Sequence, residues 1–302
     1  MESPWGKLTI SDAHVHFFSH AFFSSLAQQK GGLTAERTGE LLGWQAPPPE
    51  PEGLAEQWVR ELDKYGVHSA ALIASIPGDE MSVSAAVRRY PNRFYGYFML
   101  NPLAADAESR TRAALDGGLR GICLFPAMQG FSLHDERVAR VLAAAASHPG
   151  AVVFVHCGVL SVGFRKKLGL PSPFDMRFSN PIDLHAVALR HAGLRFVVPH
   201  FGAGYFREAL MLCDLCPNVF LDTSSSNNWM RYQESHLDLR GVFRRALDVA
   251  GAKRLLFGTD SSFFPRGWQP HIFEEQAKAL YELGATAEQA GLIFGENLRQ
   301  LF

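Results

Sequence analysis

The stretch Asp12-Ala13-His14-Val15-His16 ends the first apolar run of the chain, and residues two apart in an extended strand point to the same side. His14 and His16 can therefore reach one ion, and neutral imidazole is a strong ligand for zinc and related metals. A lone His-x-His pair reads equally well as two partly exposed histidines near a strand end, so its meaning depends on what else the chain brings to that place. Three more polar residues close apolar runs: His156 after Val152-Val153-Phe154-Val155, His200 after Phe196-Val197-Val198-Pro199, and Asp260 after Leu255-Leu256-Phe257-Gly258-Thr259. Any one of them alone is accounted for by a satisfied core hydrogen bond. Burying several such groups without partners is costly, and a shared cation would supply a partner to all of them.

A divalent ion brings the pKa of water from 15.7 toward roughly 7 and so makes hydroxide available at neutral pH. In such a site Asp260 could take the proton from water and pass it to a leaving group. His200 could polarise a substrate carbonyl or accept its proton. The same parts could instead protonate a carbon and release carbon dioxide.

These residues need a scaffold that gathers strand ends. Eight short apolar runs recur at 8–16, 70–76, 94–100, 119–125, 152–156, 196–200, 219–224 and 255–260, with amphipathic segments in most of the gaps. That alternation predicts parallel β/α units, and the count predicts a closed (β/α)8 TIM barrel, one domain over residues 1–302. The runs are continuous rather than alternating, as expected of strands covered on both faces. Helical faces show in Leu54, Trp58, Val59, Leu62 and Tyr65, and in Val138, Val141, Leu142 and Ala145. Two connections, 17–53 and 158–181, exceed the usual few residues and are expected to be extended functional βα loops rather than missed elements. Both follow strands, which sets them at the C-terminal rim where barrel enzymes keep their chemistry.

The set Asp12-Ala13-His14-Val15-His16, Val155-His156-Cys157-Gly158, Pro199-His200-Phe201-Gly202 and Gly258-Thr259-Asp260 resembles the amidohydrolase superfamily. Within it the chain is similar to the amidohydrolase-related branch that includes aminocarboxymuconate-semialdehyde decarboxylase-like enzymes. The resemblance implies His14, His16, His156 and Asp260 as ligands of one metal, with His200 beside it as a catalytic residue. Asp12 shares the parity of the two histidines and is expected to support them from behind. Binuclear members carry a carboxylated lysine at the end of strand four, where this chain reads Gly121-Ile122-Cys123-Leu124-Phe125. The resemblance therefore implies a mononuclear site, with zinc expected and manganese as the other choice.

The expected activity is hydrolysis of a small amide, ester or lactone. Non-oxidative decarboxylation of a small unsaturated or aromatic carboxylic acid is the alternative, because the related branch contains both reactions on similar ligands. An anionic substrate would find Arg165, Lys166, Lys167 and Arg177 in the second long loop, with Arg165 and Arg177 the expected contacts; solvated charges read the same way. Trp229 and Trp268 follow strands seven and eight and could wall the pocket.

Other features have plainer explanations. Gly202-Ala203-Gly204 reads either as the opening of an anion-holding helix or as a tight turn. Cys213-Asp214-Leu215-Cys216 lacks a second cysteine pair or a neighbouring histidine to complete a metal site, and Cys123 reads as a small buried hydrophobe. His20, His134 and His271 lack strand-end positions. With 47% hydrophobic and 20% charged residues among 302, the composition is that of a folded globular protein. A net charge of -1 gives no pull toward nucleic acid or anionic lipid. The polar start of the chain, the lack of a long apolar span and four scattered cysteines lead to the expectation of a cytoplasmic protein with free thiols, outside the membrane. Assembly into a homo-oligomer is possible for such a barrel, but no residue pattern fixes a symmetry.

Overall fold

The computed structural model describes residues 1–225 and 227–302. Eight parallel strands follow one another around a cylinder: β1 Ile10–Phe17, β2 Val67–Ala74, β3 Phe94–Met99, β4 Gly121–Leu124, β5 Val152–Val155, β6 Arg195–Val198, β7 Val219–Asp222 and β8 Leu255–Leu256. Each pairs with its sequence neighbour from β1 to β8. The two ends of the sheet meet at a seam just beyond β8. There Ala13 donates to the Phe257 carbonyl at 2.7 Å, Asp260 to that of His14 at 3.0 Å, and His16 to that of Ser261 at 2.7 Å. This is the expected (β/α)8 barrel.

Strands buried on both faces explain the continuous apolar runs. One set of side chains, including Ala71, Ile73, Tyr97, Cys123, Phe154 and Val197, fills the cylinder. The alternate set meets the helices outside. The helix Pro51–Lys64 begins on a proline, whose missing N–H costs nothing there, and buries Leu54, Ala55, Trp58 and Leu62. The helix Glu136–Ala146 starts on a side-chain cap from Asp135 and buries Val138, Val141, Leu142 and Ala145. At the N-terminal end of the cylinder Leu298, Leu301 and Phe302 close the interior, with Phe302 stacked on Tyr95 at 4.8 Å.

The first long connection corrects the sequence expectation of an irregular loop. It folds into the helices His20–Gln29 and Ala35–Leu42, capped by the Ser19 and Thr34 side chains. Phe22, Phe23 and Leu26 then join Phe18, Leu42 and Leu168 in a separate small core above the barrel mouth, against which Trp44, Phe164 and Phe263 pack. The second connection is closer to the expectation, with one short helix, Gly163–Lys167, and a single 3-10 turn at Met176–Phe178. All the strands except β1 stop earlier than predicted. His200 and Asp260 lie beyond the ladder with left-handed φ of 54° and 58°, so the chain turns sharply where it delivers each side chain. No helix among the described residues is long and apolar enough to cross a membrane.

Candidate metal centre

Five strand-end residues from opposite parts of the sequence converge at the C-terminal mouth. His14 and His16 are neighbours on β1, their rings 5.1 Å apart. His14 Nε2 lies 3.6 Å and His16 Nε2 3.2 Å from Asp260 Oδ1. All three offer ligand atoms within 4.8 Å of one another. Four donors about 2.1 Å from a tetrahedral zinc would be spaced by about 3.4 Å, so the observed gaps suit an ion held between them.

The imidazoles are aimed from behind. His14 Nδ1 sits 2.6 Å from Asp222 Oδ2 in a fully buried contact. Burial disfavours charge on His14, but the Asp222 carboxylate outweighs it and lifts the pKa to about 9. Burial likewise opposes charge on Asp222, and the His14 pair overrides it, keeping the group a carboxylate. An ionised carboxylate only accepts, so Nδ1 carries the proton and Nε2 points its lone pair at the site, where a cation could replace the second proton. His16 is set the same way by Ser75 Oγ, 2.8 Å from its Nδ1. Burial lowers the His16 pKa against the opposing pull of Asp260, which leaves a neutral ring suited to ligation. Asp260 is held well below the ordinary carboxylate range: burial raises it, and the His16 hydrogen bond with the charge of His14 more than compensates.

His200 and His156 complete the ring of polar groups. His200 Nδ1 donates to the Ser225 carbonyl at 2.7 Å and lies 2.9 Å from Ser224 Oγ; its ring is 5.0 Å from that of His14. Burial and the charge of His14 lower its pKa. His156 stacks on Phe125 at 5.3 Å and lies 5.6 Å from His200. It stands outside the tight three-residue group, and its Nδ1 is buried with no hydrogen-bond partner among the described residues. Burial, with His200 and His14 nearby, pushes its pKa well down. A buried imidazole nitrogen without a partner is costly, and a cation beside His14, His16 and Asp260 would fit that deficit. The donor set suits zinc or a similar divalent ion.

Asp12 supports the His14 and His16 pair through the backbone and not through an imidazole ring. Its carboxylate accepts from the His14 backbone N–H at 2.9 Å, from the Thr259 hydroxyl at 2.5 Å and from the Trp268 indole at 2.7 Å. It thus ties β1 to the segment carrying Asp260, while burial, only partly offset by those bonds, pushes its pKa up to about 6. The backing carboxylate is Asp222, which sequence reasoning missed although it closes the run Val219-Phe220-Leu221 just as His156 closes its own. Gly258 makes room for this arrangement: a Cβ there would meet Asp222 Oδ1 at 2.8 Å and His14 Cβ at 2.9 Å.

The centre opens into a cavity of about 770 Å³ walled by Phe18, Trp44, Phe125, Phe164, Trp229 and Phe263. Trp229 stands in that wall, buried. Trp268 does not, being spent on Asp12. Arg165 reaches the cavity and donates to Gln29 Oε1 at 2.8 Å and to the Pro171 carbonyl. Arg177 corrects the expectation: its side chain is 83% exposed and pairs with Asp175 at 2.6 Å, away from the residues that line the cavity. The short turn Met176–Phe178, capped by Asp175, directs it to solvent. Lys166 and Lys167 do not line the cavity either, whereas Arg231 and Arg266, which the sequence did not single out, do. Gly202-Ala203-Gly204 forms a tight turn, with the next helix starting only at Phe206. Cys123, Cys157, Cys213 and Cys216 are buried free thiols. His20 lies near Glu36, and His134 and His271 are exposed.

Comparison with known proteins fits this geometry. An amidohydrolase from Burkholderia multivorans with bound zinc superposes with a TM-score of 0.65 at 15% identity, covering 97% of this chain and 98% of that one. The 5-carboxyvanillate decarboxylase LigW2 from Novosphingobium aromaticivorans, a D314N mutant with bound manganese and 3-methoxy-4-hydroxy-5-nitrobenzoic acid, gives 0.65 at 14% identity over 97% of each chain. At those identities the likeness is one of fold. Protein fluG of Emericella nidulans is 34% identical over 89 residues, which are 29% of this chain. The match spans only a tenth of the length of that curated relative. The sequence profile of the amidohydrolase family matches residues 12–302, from the aspartate that opens the His-x-His strand to the last residue, and the chain belongs to that family.

Proposed function

We propose that the protein is a metal-dependent hydrolase of a small, negatively charged amide, ester or lactone, with one zinc ion held by His14, His16, His156 and Asp260; manganese is the other ion the donor set would take. The observation that carries the hydrolytic reading is the tether of His200. With Nδ1 donating to the Ser225 carbonyl, the neutral ring keeps an accepting Nε2 as its other nitrogen. Such a group takes a proton from water attacking the substrate carbonyl and hands it to the departing nitrogen or oxygen as the acyl bond breaks. An ion in the site would supply a Lewis acid for the carbonyl and for water. His14, His16 and Asp260 orient it, and the aromatic walls limit access by bulk water.

Non-oxidative decarboxylation is the second reading, favoured by aromatic walls that suit a planar acid. It asks His200 to deliver a proton to carbon from the start, and burial beside His14 opposes the protonated form.

The test begins with zinc-loaded protein screened on lactones, amides and aromatic or unsaturated carboxylic acids, with products analysed for solvent oxygen and for carbon dioxide. Oxygen from labelled water in the product supports the hydrolase; carbon dioxide without it replaces that reading with the decarboxylase. On the substrate found, His200→Asn is expected to keep its zinc and lose on the order of 10²–10⁴ in kcat/KM. An unchanged kcat/KM would make His200 structural.

A further inference from the structure

Many arginines on the outer surface pair with carboxylates, as Arg37 does with Glu40, Arg60 with Glu56, Arg137 with Asp135 and Arg177 with Asp175, while Arg88, Arg120 and Arg195 are tied to a hydroxyl or to backbone carbonyls. Among the described residues, three arginines line the cavity, Arg165, Arg231 and Arg266, and the hydrogen bonds of all three go to neutral oxygens. Arg165 is held by Gln29 and the Pro171 carbonyl, and Arg231 by the Tyr232 hydroxyl at 2.9 Å. Arg266 donates from Nη2 to Ser262 Oγ at 2.7 Å and, at 3.4 Å, toward the carbonyl of Asp260. Among the described residues lining the cavity Asp260 is the only carboxylate; it faces two imidazoles, and its charge also acts on Arg266. The mouth is therefore a cationic rim around an aromatic pocket.

Arg266 is the member of this rim nearest the reacting centre by chain and by contact. Its guanidinium carbon lies 4.4 Å over the Phe263 ring, and Phe263 stacks on Trp44 at 4.2 Å and 12°. The segment is braced beneath by Gln269, whose side chain donates to the Thr259 and Asp260 carbonyls. An exposed arginine so fixed has already lost much of the side-chain freedom that capturing an anion would otherwise cost.

Resting on the reading of this cavity as the substrate pocket, we propose that Arg266 is the specificity residue for the substrate's negative charge: it holds a carboxylate of the substrate on the β8 side of the mouth, set apart from the acyl group that faces His200. Substrates would accordingly be small acyl compounds with a second, free carboxylate.

The test measures binding without turnover. Benzoate and benzamide, similar in shape but differing in charge, are titrated calorimetrically into zinc-loaded wild type, Arg266→Gln, Arg266→Lys and Arg177→Gln, with zinc content determined on each preparation. Wild type and Arg177→Gln are expected to prefer benzoate. Arg266→Gln should weaken benzoate at least tenfold while leaving benzamide unchanged, and Arg266→Lys should recover part of the loss. A wild type without preference for benzoate, an Arg266→Gln protein that keeps it, or equal losses on both probes would overturn the proposal. Melting curves on the same samples identify a folding defect, in which case Arg266→Lys alone decides: a weakened grip on benzoate only supports the assignment, and unchanged binding rejects it. Protein that takes up no zinc but still reads charge through Arg266 would refute the metal-dependent reading and leave this one standing.

Discussion

Asp222 is fully buried and spends one carboxylate oxygen on His14 at 2.6 Å. Neutralising it removes the field that favours a cation at the far nitrogen, so Asp222→Asn is expected to weaken zinc binding by about 10–100-fold, the usual cost of losing such a backing group. Competition with a colorimetric chelator measures this directly, and an unaltered affinity would mean that His14 is oriented by other contacts. His14→Ala with His16→Ala should abolish the equivalent of zinc that wild type retains after purification without chelator, as elemental analysis would show; equal content would remove both from the ligand set. How much of this site the sequence discloses depends on one signal, a polar residue at the end of an apolar run. His14, His16, His156, His200 and Asp260 carry it, and all five reach the same mouth. Asp222 carries it too, but behind a strand with no histidine it looks like ordinary punctuation. Arg177 misled because a place on a rim loop does not say which way a 3-10 turn projects, and Asp175 two residues earlier draws the guanidinium outward. Arg266 was hidden for the opposite reason, since only the folded segment after β8 brings it against Phe263.

At the scale of elements, the order and number of the eight strands follow from their apolar runs, and the errors lie at their ends. The sequence extends the last strand to Asp260, whereas the ladder stops at Leu256, because hydrophobicity continues through Phe257 while the backbone departs to seam bonding and a left-handed turn. The helices His20–Gln29 and Ala35–Leu42 escaped notice because each is short and lies within a connection whose length suggested a loop, yet Ser19, Thr34 and Gly43 were there as cap residues. The rim loops are in turn locked to one another. Gly158 has φ of 82°, and a Cβ on it would sit 2.2 Å from the Gly202 carbonyl oxygen and 2.4 Å from that of Ala203. Gly158→Ala must shift the loop after β5 away from the one that carries His200. It is expected to cost about 2 kcal/mol or more, seen as a fall in Tm of roughly 4 °C, together with reduced activity. A variant as stable as wild type would show that these loops slide freely.

For the whole molecule, the candidate ligands lie across the closing seam: His14 and His16 on β1, Asp260 beyond β8. An ion bound there fastens the two edges of the sheet, and binding to the folded state alone stabilises it by about 4 kcal/mol at a thousandfold excess over Kd. Scanning calorimetry should find Tm raised by roughly 8 °C in zinc relative to protein stripped by dipicolinate. A Tm indifferent to the chelator would place any bound ion elsewhere.

That seam also imposes an order on the life of the chain. Asp12 and Thr259, which bond across it, are 247 positions apart, so the candidate ligand set cannot assemble until the segment after β8 has been made. His14 and His16 are made well before the carboxylate that faces them across the seam. Retention of an ion by this set would thus wait until Asp260 has been made, and a product truncated before β8 would keep its imidazoles but have no Asp260 with which to retain one.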